Sequence, residues 1–283
     1  MIKTNHVHES KTLTSAQDAT LQVPVYGTIH DLMLRFATAA GADGAEADIR
    51  SELANIRVSL SGRDIINASP TRLLDLYEAM SVGVGVPAAV AGVVELNIGR
   101  LIFTDPVARD VFALGTKDQT SIQITVTAGT LVNIASVQAF TTRTPEEKPL
   151  GAHCKFINYV QSFNTTGDHT VDTLPRDLNT AYLAVLVDDG ASGTITHGEC
   201  RRNSLTIKER LRSSVNALTL SNNRQAQPSG YFLYSFCDGS LANNLPMQGT
   251  TDLRFIQTFS VAPGAAGYNV AALTVVNPPT LAA

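Results

Sequence analysis

The stretch Val111–Gly129, VFALGTKDQTSIQITVTAG, decides the fold. Gly115 and Thr116 lead a polar corner. After it, Ile122, Ile124 and Val126 alternate with Gln123, Thr125 and Thr127. A period of two sends successive side chains to opposite faces, which marks a half-buried β-strand. Leu245–Ala262, LPMQGTTDLRFIQTFSVA, repeats the phrase with a Gly249-Thr250 corner and then Leu253, Phe255, Gln257 and Phe259 at alternate positions. The two corners fall in opposite halves of the chain. A phrase written once in each half points to an internal duplication.

Working outward, Ala19–Gly27 (ATLQVPVYG) and Ile29–Ala37 (IHDLMLRFA) read as two strands, with Leu32, Leu34 and Phe36 on one face. Gly41–Leu53 is an acidic, alanine-rich insertion, either a loop or a short helix. In Asn55–Ile65, Ile56, Val58 and Leu60 point inward, and Ser61-Gly62 makes a turn. A helix follows over residues 70–80. Ser69 is its N-cap, Pro70 holds the first helical position, and Leu73, Leu74, Tyr77 and Met80 form its apolar stripe. Val93–Asp105 and Thr130–Phe140 return to strand, and Thr141–Gly151, polar with two prolines, is the best boundary in the chain.

Beyond that boundary the pattern starts again. Thr170–Pro175 echoes Thr20–Pro24, Ala181–Val187 echoes Asp31–Ala37, and Gly193–Arg202 echoes Asn55–Asp64. A second helix is predicted over 206–218, with Thr206 and Glu209 as a capping box and Ile207, Leu211 and Val215 as its stripe. Phe236-Cys237-Asp238 then answers Phe103-Thr104-Asp105. A helix sits between strands rather than after each one, so a parallel βαβ design does not fit. The predicted fold is all-β: two tandem jelly-roll β-sandwiches with short helices between strands. Its expected divisions are an N-terminal arm (1–19), a first roll (20–147), a second roll (148–276) and a C-terminal tail (277–283).

Composition narrows the function. Of the 283 residues, 44% are hydrophobic and only 16% charged, so the chain can fill a core and covers its surface with Ser, Thr, Asn and Gln. The net charge of −4 implies no basic face, and no specific nucleic-acid partner is expected. The one basic run, Arg201-Arg202 with Lys208, Arg210 and Arg212, reads as the solvated side of the second helix. Cys154, Cys200 and Cys237 are too few and too scattered for a disulfide framework, and are read as buried thiols made in a reducing compartment. The N-terminus has no apolar core of a signal peptide. Ser81–Val94 is uncharged but shorter than the roughly 20 residues of a membrane helix. It reads as a loop feeding a buried strand, and its Ser81–Ala91 part is alternatively an interface between subunits.

No catalytic constellation emerges. His6 and His8 lie on the expected arm, and His30 reads as a surface or interface residue. Neither half has a strand-borne His-x-His with an inward Glu, a Gly-x-Ser-x-Gly elbow, or a phosphate-binding glycine loop. The chain is therefore read as not an enzyme, with no catalytic or cofactor-binding residue and no assigned metal ligand.

Three stretches carry a resemblance: NIRVSLSGR (Asn55–Arg63) before a leucine-rich segment, FALGT (Phe112–Thr116) before an alternating strand, and TLPRDLNTAYLAVLV (Thr173–Val187) opening the second roll. With their order and spacing, the chain resembles the double jelly-roll major capsid proteins of tailless, internal-membrane-containing bacteriophages, most closely the corticovirus type. The resemblance implies a homotrimer whose six rolls form a pseudo-hexagonal capsomer of an icosahedral shell above an internal viral membrane. Its partners would be neighbouring capsomers and the penton and minor capsid proteins. Its place would be the virion, after synthesis and assembly in the bacterial host cytoplasm. No cofactor is required, although some such shells use calcium; here its ligands stay unassigned. The alternative is a receptor- or carbohydrate-binding β-sandwich of the viral spike kind.

Overall fold

The computed structural model describes residues 2–80, 92–99, 110–188, 194–211, 230–237 and 244–278. Apart from 78–83, the chain through Phe156 forms one compact unit, and Ile157 onward forms the other.

The first unit holds β1 (Thr4–Thr12), β2 (Asp18–Val23), β3 (Thr28–Thr38), α1 (Glu46–Glu52), β4 (Leu53–Leu60), β5 (Arg63–Ala68), α2 (Pro70–Met80), β6 (Val93–Glu95), β7 (Leu114–Gly115), β8 (Ile122–Ala128) and β9 (Ile134–Thr144). The second holds β10 (His153–Gln161), β11 (Gly167–Val171), β12 (Thr180–Asp188), β13 (Ile195–Arg202), β14 (Leu205–Leu211), β15 (Tyr231–Ser235), β16 (Leu245–Pro246), β17 (Leu253–Phe259) and β18 (Tyr268–Val276). The division between units falls within β10.

In the first unit the strand orders are β1-β9-β3-β6, with β7 beside β3, and β5-β4-β8-β2. In the second they are β10-β18-β12-β15, with β16 beside β12, and β14-β13-β17-β11. Adding nine to every strand number of the first unit gives the second. Each unit is thus an antiparallel jelly roll, and the two share one strand order, so the duplication read from the sequence is present.

The strands form where the sequence alternates. In β8, Ile122, Ile124 and Val126 are buried and the residues between them half-buried. In β17, Leu253, Phe255, Gln257 and Phe259 are the buried set. β12 is different: residues 180–187 are buried throughout, a nearly continuous apolar run of the kind a strand covered on both faces requires. Between the sheets of the second unit, Tyr182, Val185, Phe232, Phe255, Phe259 and Val270 share one core. The first unit buries Leu32, Leu34, Phe36, Ile56, Val58 and Ile124 completely. The inward faces expected for β3 and β4 are therefore observed.

Helix α2 covers the predicted residues. Ser69 Oγ accepts the Arg72 N–H at 3.4 Å, and Leu73, Leu74, Tyr77 and Met80 are all buried. The acidic segment forms α1.

Four expectations change. The N-terminal arm is a strand from Thr4 to Thr12, paired antiparallel with β9. It escaped the sequence pattern because none of its nine residues is buried, so no alternation marks it. Residues 205–211 are strand β14, hairpinned to β13, not the start of a second helix. Residues 212–218 of that helix lie outside the described residues. Consequently Arg201, Arg202, Lys208 and Arg210 lie on strands, not on a helix face. His30 is not a surface residue: it is 5% exposed within β3. Its Nδ1 lies 3.3 Å from Asp110 Oδ1 and its Nε2 3.2 Å from Thr144 Oγ1. The loop 81–91, all of the segment 103–105, residue 238 of its counterpart, and tail residues 279–283 lie outside the described residues.

The two Gly-Thr corners are not equivalent residue for residue. Pairing of β7 with β3 and of β16 with β12 aligns Leu114 with Leu245, and the same spacing carries Ile122 onto Leu253. Matching Gly115 to Gly249 is therefore three positions out of register. Gly115 sits in strand β7 where an added Cβ would meet the Lys148 and Pro149 carbonyl oxygens, whereas Gly249 occupies a turn at φ 71°. One glycine allows close backbone approach and the other a left-handed conformation.

Candidate assembly surfaces

The buried charged groups are committed to holding loops. Glu52, 4% exposed, accepts N–H bonds from Val132 (3.0 Å), Asn133 (2.9 Å) and Ile134 (2.9 Å), fixing the turn into β9. Burial works to raise its pKa, but these donors outweigh it and hold the carboxyl below the usual carboxylate value. Arg143, 1% exposed, donates to the Pro24 and Tyr26 carbonyls at 2.7 and 2.8 Å and lies 4.3 Å from the Tyr26 ring centroid. Glu199 receives a forked pair from Arg201 at 2.6 and 2.8 Å, plus the Thr206 hydroxyl. Thr206, expected as a helix cap, instead ties β14 to β13.

The three cysteines are buried, and burial pushes the Cys200 thiol up to about 12, away from the thiolate a nucleophile needs. Among the described residues, no three His, Cys, Asp or Glu side chains converge as a metal site. His6 and His8 are spent on Tyr26 and Thr141, at 3.1 and 2.9 Å. No described helix is long and apolar enough to cross a membrane.

What the geometry builds with care is the corner of each roll. Ser61 and Gly62 turn at φ 48° and 78°, and Asn203 and Ser204 at φ 50° and 67°. Positive φ at both central residues is the two-residue hairpin turn that matches strand twist. Asn203 thus holds in the second roll the place of Ser61 in the first. Ser61 Oγ accepts the Thr120 N–H at 2.9 Å, and Asn203 Oδ1 accepts the Thr251 N–H at 2.9 Å. The backbone repeats the clamp: Ser61 N–H donates to Ser121 O, and Asn203 N–H to Asp252 O, both at 2.9 Å. A β-bulge follows Val58 in one hairpin and Cys200 in the other. At the far end of each sheet, Thr127 donates to Asp18 and Thr258 to Asp168, both at 2.6 Å. Sequence reading found the Ser61-Gly62 turn but not its counterpart: matching Gly193–Arg202 to Asn55–Asp64 sets Glu199 rather than Asn203 against Ser61, four positions out of register, because Ser61 and Asn203 differ in type while doing the same work.

The outer strands carry the surface features. β1 and β14 each end a sheet, with β9 and β13 as their partners among the described residues. Val7 on β1 is 63% exposed, and Leu205 and Ile207 on β14 are 69% and 41% exposed.

Residues 154–276 match the family model of the viral coat protein P2 C-terminal domain. By sequence, the chain matches no curated protein. Among solved structures it is similar to the major capsid protein P2 of bacteriophage PM2, with a TM-score of 0.80 at 14% identity over 97% of both chains. The major capsid protein of Sulfolobus turreted icosahedral virus gives a TM-score of 0.67 at 14% identity over 98% of both chains. The PBCV-1 virus capsid protein gives 0.64 at 10% identity, over 98% of this chain and 95% of that one. At such identities the likeness establishes the fold, the double jelly roll.

Proposed function

We propose that this chain is the major capsid protein of an icosahedral virus, and that its work is assembly rather than catalysis. The observation that carries the reading is the strand-for-strand duplication, in a chain whose second unit matches a viral coat protein domain. Two rolls of one topology let three copies present six similar walls, so one gene approximates sixfold tiling. The capsomer is accordingly a homotrimer. Its neighbours are further capsomers, with penton and minor proteins at special positions, and an internal membrane lies beneath the shell. These finer points rest on the resemblance to the membrane-containing phages. The buried charged groups that tie down loops and the clamped corners support the same reading, since they make each roll a rigid block. No cofactor is required for this assembly, and structural calcium keeps no assigned ligands.

Sedimentation of the purified protein tests the proposal. A trimer that grows into closed particles on raising the concentration is expected. A monomer that binds glycans would favour the spike-like alternative instead.

A further inference from the structure

The duplication allows each strand to be compared with its counterpart inside the same chain. Ile29 pairs with Leu114 and Tyr182 with Leu245, so β3 and β12 align at these two residues. The same ladders then set Arg143 of β9 against Thr274 of β18, and Thr141 against Ala272. The first unit thus buries a guanidinium and a hydroxyl where the second has a threonine and an alanine. Among the described residues no carboxylate pairs with Arg143. Its hydrogen bonds go to Thr141 Oγ1, Pro24 O and Tyr26 O, and its Nη2 has no hydrogen-bond partner. A buried cation without an anion leaves little tolerance for a second positive charge beside it. The strand laid over this cluster is β1. Among the described strands it is hydrogen-bonded to β9 alone, and it buries none of its nine residues. Two histidines tie it down: His6 Nδ1 lies 3.1 Å from the Tyr26 hydroxyl, and His8 Nε2 2.9 Å from Thr141 Oγ1.

The hydrogen bonds run one way. Arg143 Nε–H donates to Thr141 Oγ1 at 2.9 Å, and the Thr141 hydroxyl donates in turn to His8 Nε2, which accepts only while it is unprotonated. A proton on Nε2 reverses that last link and leaves Thr141 between two cations. Burial, Arg143 on β9 and His6 on its own strand all oppose the proton. Arg143 is the one charged residue of β9, and Asp18, the one charged residue of β2, receives the Thr127 hydroxyl. The carboxylates that reach β1 residues are engaged, Glu9 with Lys11 at 2.9 Å and Asp110 with Lys3 and His30 at 3.3 Å each. In a detached strand His8 faces water and takes up its proton near the ordinary value of about 6.5. The strap therefore holds fully above that pH and loses the His8 contribution as pH falls towards the depressed value of the docked state. We propose that β1 is an acid-released strap: protonation of His8 peels Thr4–Thr12 from β9 while the rest of the first roll stays folded, uncovering the β9 edge and the Arg143 cluster. An outer strand that buries nothing is the element that opens at least cost. The inference is independent of the capsid reading.

Hydrogen exchange read by mass spectrometry on the full-length chain supplies the test. Each rate is corrected for the ordinary pH dependence of amide exchange, and β4 of the same unit serves as the internal reference. Between about pH 7.5 and 5.5, protection over residues 4–12 should fall by about threefold or more, while that of β4 holds. His8→Gln offers Thr141 an acceptor but takes up no proton. The position is half-buried, so the variant should fold, and its residues 4–12 should keep one level of protection across the same range. A wild-type strand whose protection does not change would overturn the strap. So would a His8→Gln strand that loosens as the wild type does, because the proton would then act elsewhere. Parallel loss in β4 would overturn it too, since the whole roll would be opening rather than its outer strand. The wild-type comparison of β1 with β4 decides alone should the variant not fold. Failure on any of these counts leaves the capsid reading standing, and a chain that never assembles leaves the strap standing.

Discussion

Gln257 is the residue that most clearly separates the two rolls. It occupies in β17 the place that Val126 holds in β8, just as Leu253 answers Ile122, yet it is completely buried. Its Oε1 accepts the Tyr268 hydroxyl at 3.1 Å, and its Nε2 lies 3.5 Å from the Tyr234 hydroxyl, which in turn donates to Ile256 O at 2.9 Å. A buried polar group is tolerable only when its partners are present. Gln257→Val, which copies the first roll, should therefore destabilise the protein by about 1–3 kcal/mol in urea melts, because the buried Tyr268 hydroxyl loses Gln257 and keeps only His169 Nδ1, at 2.5 Å. A neutral result would show that the tyrosines find other partners. Asn203 is the second such residue. Asn203→Ala should cost about 1–3 kcal/mol, and Asn203→Gly less, since glycine restores the positive φ but not the clamp. Equal losses would mean that the backbone conformation is unimportant there.

Titration follows from single residues too. Burial, with help from Arg143 and His6, lowers the His8 pKa. Burial also lowers His153 and His169, against the Gly151 carbonyl at the first and Asp172 at the second. A histidine depressed in the folded state lets the unfolded chain take protons first. Its contribution is therefore present above about pH 6.5 and is lost as pH falls towards the folded value. The melting temperature should drop between about pH 6.5 and 5, before the carboxylates titrate. Glu52 adds a later loss, as pH falls from the ordinary carboxylate value through its depressed one. A melting temperature that is flat across the histidine range would remove these three from the stability of the fold.

At the scale of elements, α2 illustrates what was legible. A cap, a proline at the first position and an apolar stripe agree with one another, and Leu73 ends fully buried. Leu73→Ala should cost about 2–5 kcal/mol, the range for a buried leucine whose site does not collapse. A loss below about 0.5 kcal/mol, typical of a surface position, would show that the side chain is exposed in solution. β14 shows where reading failed. Ile207 and Leu211 fit a helical spacing, and Thr206 with Glu209 imitates a cap. The same residues alternate as a strand, and pairing with β13 decides between the two. Tertiary pairing overrides a local signal of this strength. β1 failed for the opposite reason: an outer strand that buries nothing leaves no pattern to read. At the corner, matching identical letters misplaced the repeat by three positions, while the alternation of β8 and β17 carried the true register. Burial periodicity was the better guide because the core constrains it, whereas a turn can be closed by several residue types.

For the whole molecule, the order of strands in the two units is the central fact. Duplicated topology has a purpose when copies must tile a surface with more symmetry than the chain number allows. The account then makes a claim about the assembled object, and image reconstruction of particles formed by the purified protein tests it directly. The expected result is a shell of capsomers, each holding three copies that show six similar lobes alternating in identity around the ring. Capsomers of any other copy number, or protein that stays monomeric at every concentration, would contradict it.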